Sequence, residues 1–138
     1  MKTKALCLIT DNKPVDIHLV LTYHWYDEID AGRKWIEYRE QSDYYKRMFL
    51  RNYKLLKQRH GKKNTPFVYL YKNIRSVIFH RGYTSTTMRW HVTGITVAYG
   101  EPIKGAPYNR QVFCIFLGNR YKKVAKLQSC INSLTLQK

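Results

Sequence analysis

Apolar and polar positions follow two rhythms along this chain. Ile17 to Tyr23 (IHLVLTY) is β-branched and aromatic and follows the turn-like Asn12–Lys13–Pro14, which predicts a short buried strand. From His24 to Ala31 the spacing becomes helical, with Trp25, Tyr26 and Ile29 turned inward and Asp27, Glu28 and Asp30 toward water. Gly32 stands where a helix commonly ends on a residue at positive φ. Lys34 to Arg39 (KWIEYR) returns to alternation, with Lys34, Ile36 and Tyr38 on one side and Trp35, Glu37 and Arg39 on the other. Ser42 or Asp43 then caps a helix predicted to run to about Arg59. Along it Tyr45, Phe49, Tyr53 and Leu56 recur at helical spacing, with Met48 beside them.

After the polar, basic loop His60 to Thr65, the pattern turns to strands. Phe67 to Tyr71 (FVYLY) is nearly all apolar and is expected to be central. Arg75 to Gly82 and Trp90 to Tyr99 read as two strands joined across Tyr83 to Thr87, with Gly94 marking a bulge or bend. Residues 100–110 hold two glycines and two prolines and form a loop, and Val112 to Leu117 (VFCIFL) is the last strand. The tail from Tyr121 is helix-compatible. About five or six strands with two or three flanking helices, in mixed order, predict an α+β fold around a small mixed or antiparallel β-barrel. A single domain over 17–118 is expected, with an N-terminal extension over 1–16 and a tail over 119–138.

Composition sharpens this picture. The chain has 138 residues, enough for one well-cored domain, and no apolar run approaches the roughly 18 to 20 residues of a membrane span. Twenty-five Lys and Arg stand against nine Asp and Glu, for a formal charge of +16. Seven of the nine acids lie between Asp16 and Asp43, whereas Tyr44 to Gly100 has none and carries 12 Lys and Arg. A fold with so long an acid-free span presents a positive face, and such faces gather phosphates by counterion release. The expected partner is therefore RNA or another single-stranded nucleic acid, with no membrane involved. Three widely separated cysteines (Cys7, Cys114, Cys130) fit reduced thiols, and the N-terminus lacks a secretory pattern, so a cytoplasmic protein is expected. The histidines and cysteines form no metal-ligand spacing, and glycine-rich phosphate loops and serine-elbow motifs are absent, so neither metal nor cofactor is expected.

One segment concentrates chemistry. In Gly32-Arg33-Lys34-Trp35-Ile36-Glu37-Tyr38-Arg39, strand alternation puts Glu37 and Arg39 on one face about 7 Å apart, with Lys34 opposite unless the turn at Gly32 twists it. A carboxylate beside Arg orients the guanidinium for bidentate contacts. On residues alone this can equally be an exposed strand with cross-paired charges. Gly32-x-Lys34-x-x-Glu37-x-Arg39, following an apolar strand and the Trp25-Tyr26-Asp27-Glu28-Ile29 helix, resembles the signature of the ASCH domain (activating signal cointegrator homology), a branch of the PUA-like superfamily. The resemblance covers roughly Ile17 to Gly118. It implies a small β-barrel with packed helices, a cleft lined by this segment, and RNA or nucleotide ligands. Some relatives cleave RNA and others hydrolyse acetylated cytidine, so the resemblance implies a catalytic role for Lys34. In such an enzyme Lys34 would stabilise developing negative charge or act as acid, with Glu37 as the base. The hydrolytic branch, however, uses a Thr where this chain has Glu37.

The expected function is RNA binding through a basic cleft, extending to RNA processing. Lys34, Arg39, Arg47, Arg51, Lys54, Arg81, Arg89 and Trp90 are its candidate nucleic-acid contacts. A metal-independent ribonuclease or nucleoside amidohydrolase using Lys34 and Glu37 is the enzymatic alternative. A protein-interaction domain kept soluble by its charge is the third.

Overall fold

The computed structural model describes residues 12–58 and 68–122. Its strands are β1 (Val15–Leu21), β2 (Ile36–Arg39), β3 (Ile74–Arg81), β4 (Thr87–Ala98) and β5 (Val112–Arg120). Helices α1 (Tyr23–Asp30), α2 (Asp43–Phe49) and α3 (Tyr53–Gln58) and a short 3-10 turn (Pro102–Lys104) complete it. The predicted α+β class is what the chain forms. The sheet order is β1-β3-β4-β5-β2. β1 runs parallel to β3, and every other neighbouring pair is antiparallel.

Register shifts between Trp90 and Val92 and again between Val92 and Gly94 bend β4, at the place where Gly94 predicted a bulge. The sheet curls into a half-barrel, with β1 and β2 at its two edges. No backbone ladder joins those edges among the described residues. The concave side is filled by Ile17, Leu19, Leu21, Val77, Phe79 and Met88 from β1, β3 and β4, with Phe113, Ile115 and Leu117 from β5. Ile29 of α1 and Phe49 of α2 join this core.

The middle of the chain corrects two expectations. The helix predicted over 43–59 is broken at Leu50, which adopts an extended conformation (φ −108°, ψ 134°). Ser42 caps α2 by accepting a hydrogen bond from the Tyr45 N–H at 3.3 Å. At the break Leu50 pairs with Tyr71, the Arg51 N–H donates to the Leu70 carbonyl, and the Lys72 N–H donates to that of Phe49. The buried Asn52 side chain fixes the junction, donating to the Val68 carbonyl at 2.7 Å and accepting from the Leu70 N–H at 3.1 Å. Residues 68–72 are therefore not a central strand of the sheet: their backbone partners lie in the helix break. Breaking the helix also lets the adjacent Phe49 and Leu50 both be buried. Phe67, the basic loop through Thr65 and the tail expected beyond Lys122 lie outside the described residues, as do Cys7 and Cys130.

Candidate functional site

The signature segment begins where α1 stops. The Gly32 N–H donates to the Ile29 carbonyl and the Arg33 N–H to that of Glu28, with Gly32 at φ 78°. This is the paired closure of a helix that needs a left-handed residue, as Gly32 predicted. The turn carries Lys34 round before the strand starts at Ile36, so simple alternation does not govern it. The expectation that Lys34 projects away from Glu37 is corrected on this ground: its Nζ lies 2.9 Å from Glu37 Oε1.

Glu37 and Arg39 share a face, opposite Ile115 and Phe113 of β5, and so point into the half-barrel. Arg39 Nε and Nη2 both donate to Glu37 Oε2, at 3.0 and 2.7 Å. Its Nη1 donates to the Tyr45 hydroxyl at 2.8 Å, and Nη2 also donates to the Val20 carbonyl at 2.9 Å. That last bond spans the gap between the edge strands, β2 to β1. Burial works against the Arg39 charge, but Glu37 and the Tyr45 hydroxyl outweigh it, so the guanidinium holds its proton more tightly than usual. Lys34 and Glu37 are each only 4% exposed, and Lys34 Nζ sits 4.2 Å from the centre of the Trp25 ring. Three charges thus converge at the seam and satisfy one another.

Beside them is an open recess of about 40 Å³, lined by Arg33, Lys34, Trp35, Tyr38, Glu101 and Lys104. Its far wall is the loop after β4, which closes against Tyr38. The Glu101 N–H donates to the Tyr38 hydroxyl at 3.2 Å, and the Tyr38 ring packs so tightly on Gly100 that a Cβ there would lie 2.5 Å from it. Burial raises the Tyr38 phenol above its ordinary range.

The other candidate contacts do not gather at this recess. Arg81 pairs with Asp27 of α1 at 3.0 Å and lies over the Tyr23 ring. Arg89 is opposite Ile78, donates to Ser76 Oγ and pairs with Asp16. Trp90, its neighbour along β4, is opposite Val77 and packs on the core, so the two face opposite sides of the sheet. Hydrogen bonds from Arg75 and Ser76 hold the Asp16 carboxyl well below the usual range. Arg47, Arg51 and Lys54 belong to the broken helix. Arg47 lies over the Tyr53 ring, Arg51 is half-buried and Lys54 is exposed.

Ion pairing separates these cations into two sets. Among the described residues Asp16, Asp27, Glu28, Asp30, Glu37 and Glu40 are each paired, chiefly with arginines. None of those pairs reaches Lys46, Arg47, Lys54 or Lys57; Asp43 in the first turn of α2 is the one carboxylate on the two helices, so α2 and α3 keep a net positive charge. Trp25, Tyr45 and Glu101 were not expected at the charged cluster and its recess. Trp25 was legible only as an inward residue of α1, and Glu101 only as an acid in a loop.

Among the described residues no group of three or more His, Cys, Asp or Glu side chains converges, although His18 and His80 meet at 2.8 Å on neighbouring strands. Nor is any described helix long and apolar enough to cross a membrane. Compared with protein-family models, with curated proteins and with solved structures, the chain finds no match.

Proposed function

We propose that this protein is an ASCH-type, PUA-like module that binds single-stranded RNA. The observation that carries the reading is the division of charge just described. The sheet's arginines are matched to acids, while Lys46, Arg47, Lys54 and Lys57 on α2 and α3 are left to meet phosphate. Phosphate contact by such cations is sequence-blind and releases condensed counterions. Tyr44, largely exposed on the same helix, offers a face on which a base stacks. On this reading the helical arm supplies the basic surface, and Lys34, Glu37 and Arg39 hold the seam of the half-barrel. The half-barrel would then stand where the PUA-like architecture has its barrel, with Arg39 bridging its open side.

A second reading, hydrolysis or cleavage of RNA or a nucleoside by Lys34 and Glu37, draws support from Lys34 lining the recess. Against it, Glu37 is only 4% exposed and accepts three charge-assisted hydrogen bonds from Lys34 and Arg39, which leaves a substrate little access to the carboxylate. Lys34 would then act alone, as a fixed positive charge.

Fluorescence anisotropy with a labelled single-stranded RNA tests the proposal. The affinity is expected to fall linearly with salt on a log–log plot. Reversing Lys46, Arg47, Lys54 and Lys57 to Glu is expected to remove most of that slope. Binding that ignores salt, or no binding at low salt, overturns the reading; so does a reversed variant that binds as tightly as the parent.

A further inference from the structure

The recess beside Lys34 presents one acceptor and few free donors. Arg33 is committed to Glu28 by two hydrogen bonds of 2.9 and 3.0 Å, Lys34 to Glu37, and Lys104 Nζ donates to the Arg33 carbonyl at 3.0 Å. The Glu101 carboxylate, by contrast, makes no ion pair or side-chain hydrogen bond among the described residues. Its backbone is nonetheless fixed. Besides the N–H bond to Tyr38, the Glu101 carbonyl accepts from the Lys104 and Ala106 N–H groups at 2.9 and 3.2 Å. Gly105 (φ 102°) then closes the turn against the Trp25 ring. An acceptor held on a rigid turn is preorganised for a ligand that donates. On the other side of the same recess Trp35 is 60% exposed, an unusual place for an indole without a partner.

We propose that this recess reads the edge of a guanine base, with Trp35 as its stacking platform and Glu101 as its acceptor; the inference rests on the RNA-binding reading above. At about 40 Å³ the recess has room for about three waters, too little for a whole purine, so the ring lies over Trp35 and only its edge enters. A carboxylate presents two acceptor oxygens. Guanine alone among the common bases offers two adjacent donors on one edge, its N1–H and N2 amino group. Adenine and cytosine offer a single amino group there, and uracil a single N–H. A phosphate is repelled by Glu101. A cationic peptide would suit the carboxylate and the indole, but a protein of net charge +16 repels it at long range and attracts a polyanion.

Anisotropy with labelled RNA pentamers AAGAA and AAAAA at one moderate salt concentration decides it. AAGAA is expected to bind about tenfold more tightly, the lower part of the range for a bidentate base contact. Glu101→Gln, which replaces one acceptor by a donor, is expected to abolish that preference, with any gain from the lost negative charge shared by both pentamers. Trp35→Ala is expected to weaken both pentamers by about tenfold. Equal, salt-sensitive binding of the two pentamers by the parent overturns the guanine site and leaves the RNA-binding reading standing. Binding of neither overturns both. A Glu101→Gln protein that keeps the preference also overturns the site. Both side chains are exposed, and the parent comparison decides the question even where a variant fails to fold.

Discussion

Glu37 carries two buried cations on one carboxylate, and its removal is expected to cost more than any bond it makes. In Glu37→Gln, the buried Lys34 and the largely buried Arg39 would face each other across a neutral amide. Leaving a buried charge unmatched costs about 3 to 5 kcal/mol, so the urea midpoint should fall sharply. A double variant, Lys34→Met with Glu37→Gln, should recover part of the loss because one orphan charge goes with it. A Glu37→Gln protein with the parent's urea midpoint would show that the cluster is solvated. Asp16 makes a separate prediction, on pH. Its folded carboxyl gives up its proton more readily than the unfolded one, because Arg75 and Ser76 hydrogen-bond to it. The stabilisation it contributes is therefore complete above about pH 5, beyond the ordinary aspartate range, and is lost as pH falls through that range toward the lower folded value. The stability gap between the parent and Asp16→Asn should narrow between about pH 5 and pH 2, read from thermal melts. A gap that stays constant over that window means the Arg75–Asp16–Ser76 contact adds nothing.

At the scale of elements, the junction between α2 and α3 depends on one amide side chain. Asn52→Ala would leave the Leu70 N–H and Val68 carbonyl without their partners, a loss of about 1 to 3 kcal/mol. Limited proteolysis should then cut near the junction sooner than in the parent, before the sheet unfolds; simultaneous loss of both would mean that Asn52 is not local in its effect. This junction also marks where the sequence stopped being readable. The apolar positions Tyr45, Phe49, Tyr53 and Leu56 fit one continuous helix, and nothing in their period betrays that Leu50 is extended. Asn52 is a residue that favours helix starts, and that was the available signal. The strands β1, β3, β4 and β5 were legible within a few residues because their alternation meets a single core. Residues 68–72 were not, since an apolar run looks the same whether its backbone pairs in a sheet or with a broken helix. At the charged cluster, the shared face of Glu37 and Arg39 followed from alternation. The position of Lys34 did not, because a turn of left-handed backbone intervenes, and Glu101 is brought in from 64 residues beyond Glu37 by packing alone.

Across the whole molecule, charge is sorted. Among the described residues, arginines of the sheet meet the acids of β1, α1 and β2, and the lysines of the helical arm make no ion pair. On the proposed RNA-binding reading, cations left on the helical arm speed the approach of a polyanion at low ionic strength and favour one orientation of arrival. The parallel pairing of β1 has a kinetic consequence. Asp16 meets Ser76 across 60 residues of chain, and the whole of α1, β2 and the helical arm lies within that loop. The β3-β4-β5 meander closes only short connections, so it is expected to assemble first, with β1 docking last against the entropy of so long a loop. Native-state hydrogen exchange should therefore show the β1 amides opening together, at lower cost than those of β4 and β5. When that edge peels away it takes the Val20 carbonyl from Arg39, so the latch on the seam and the last step of folding are the same event.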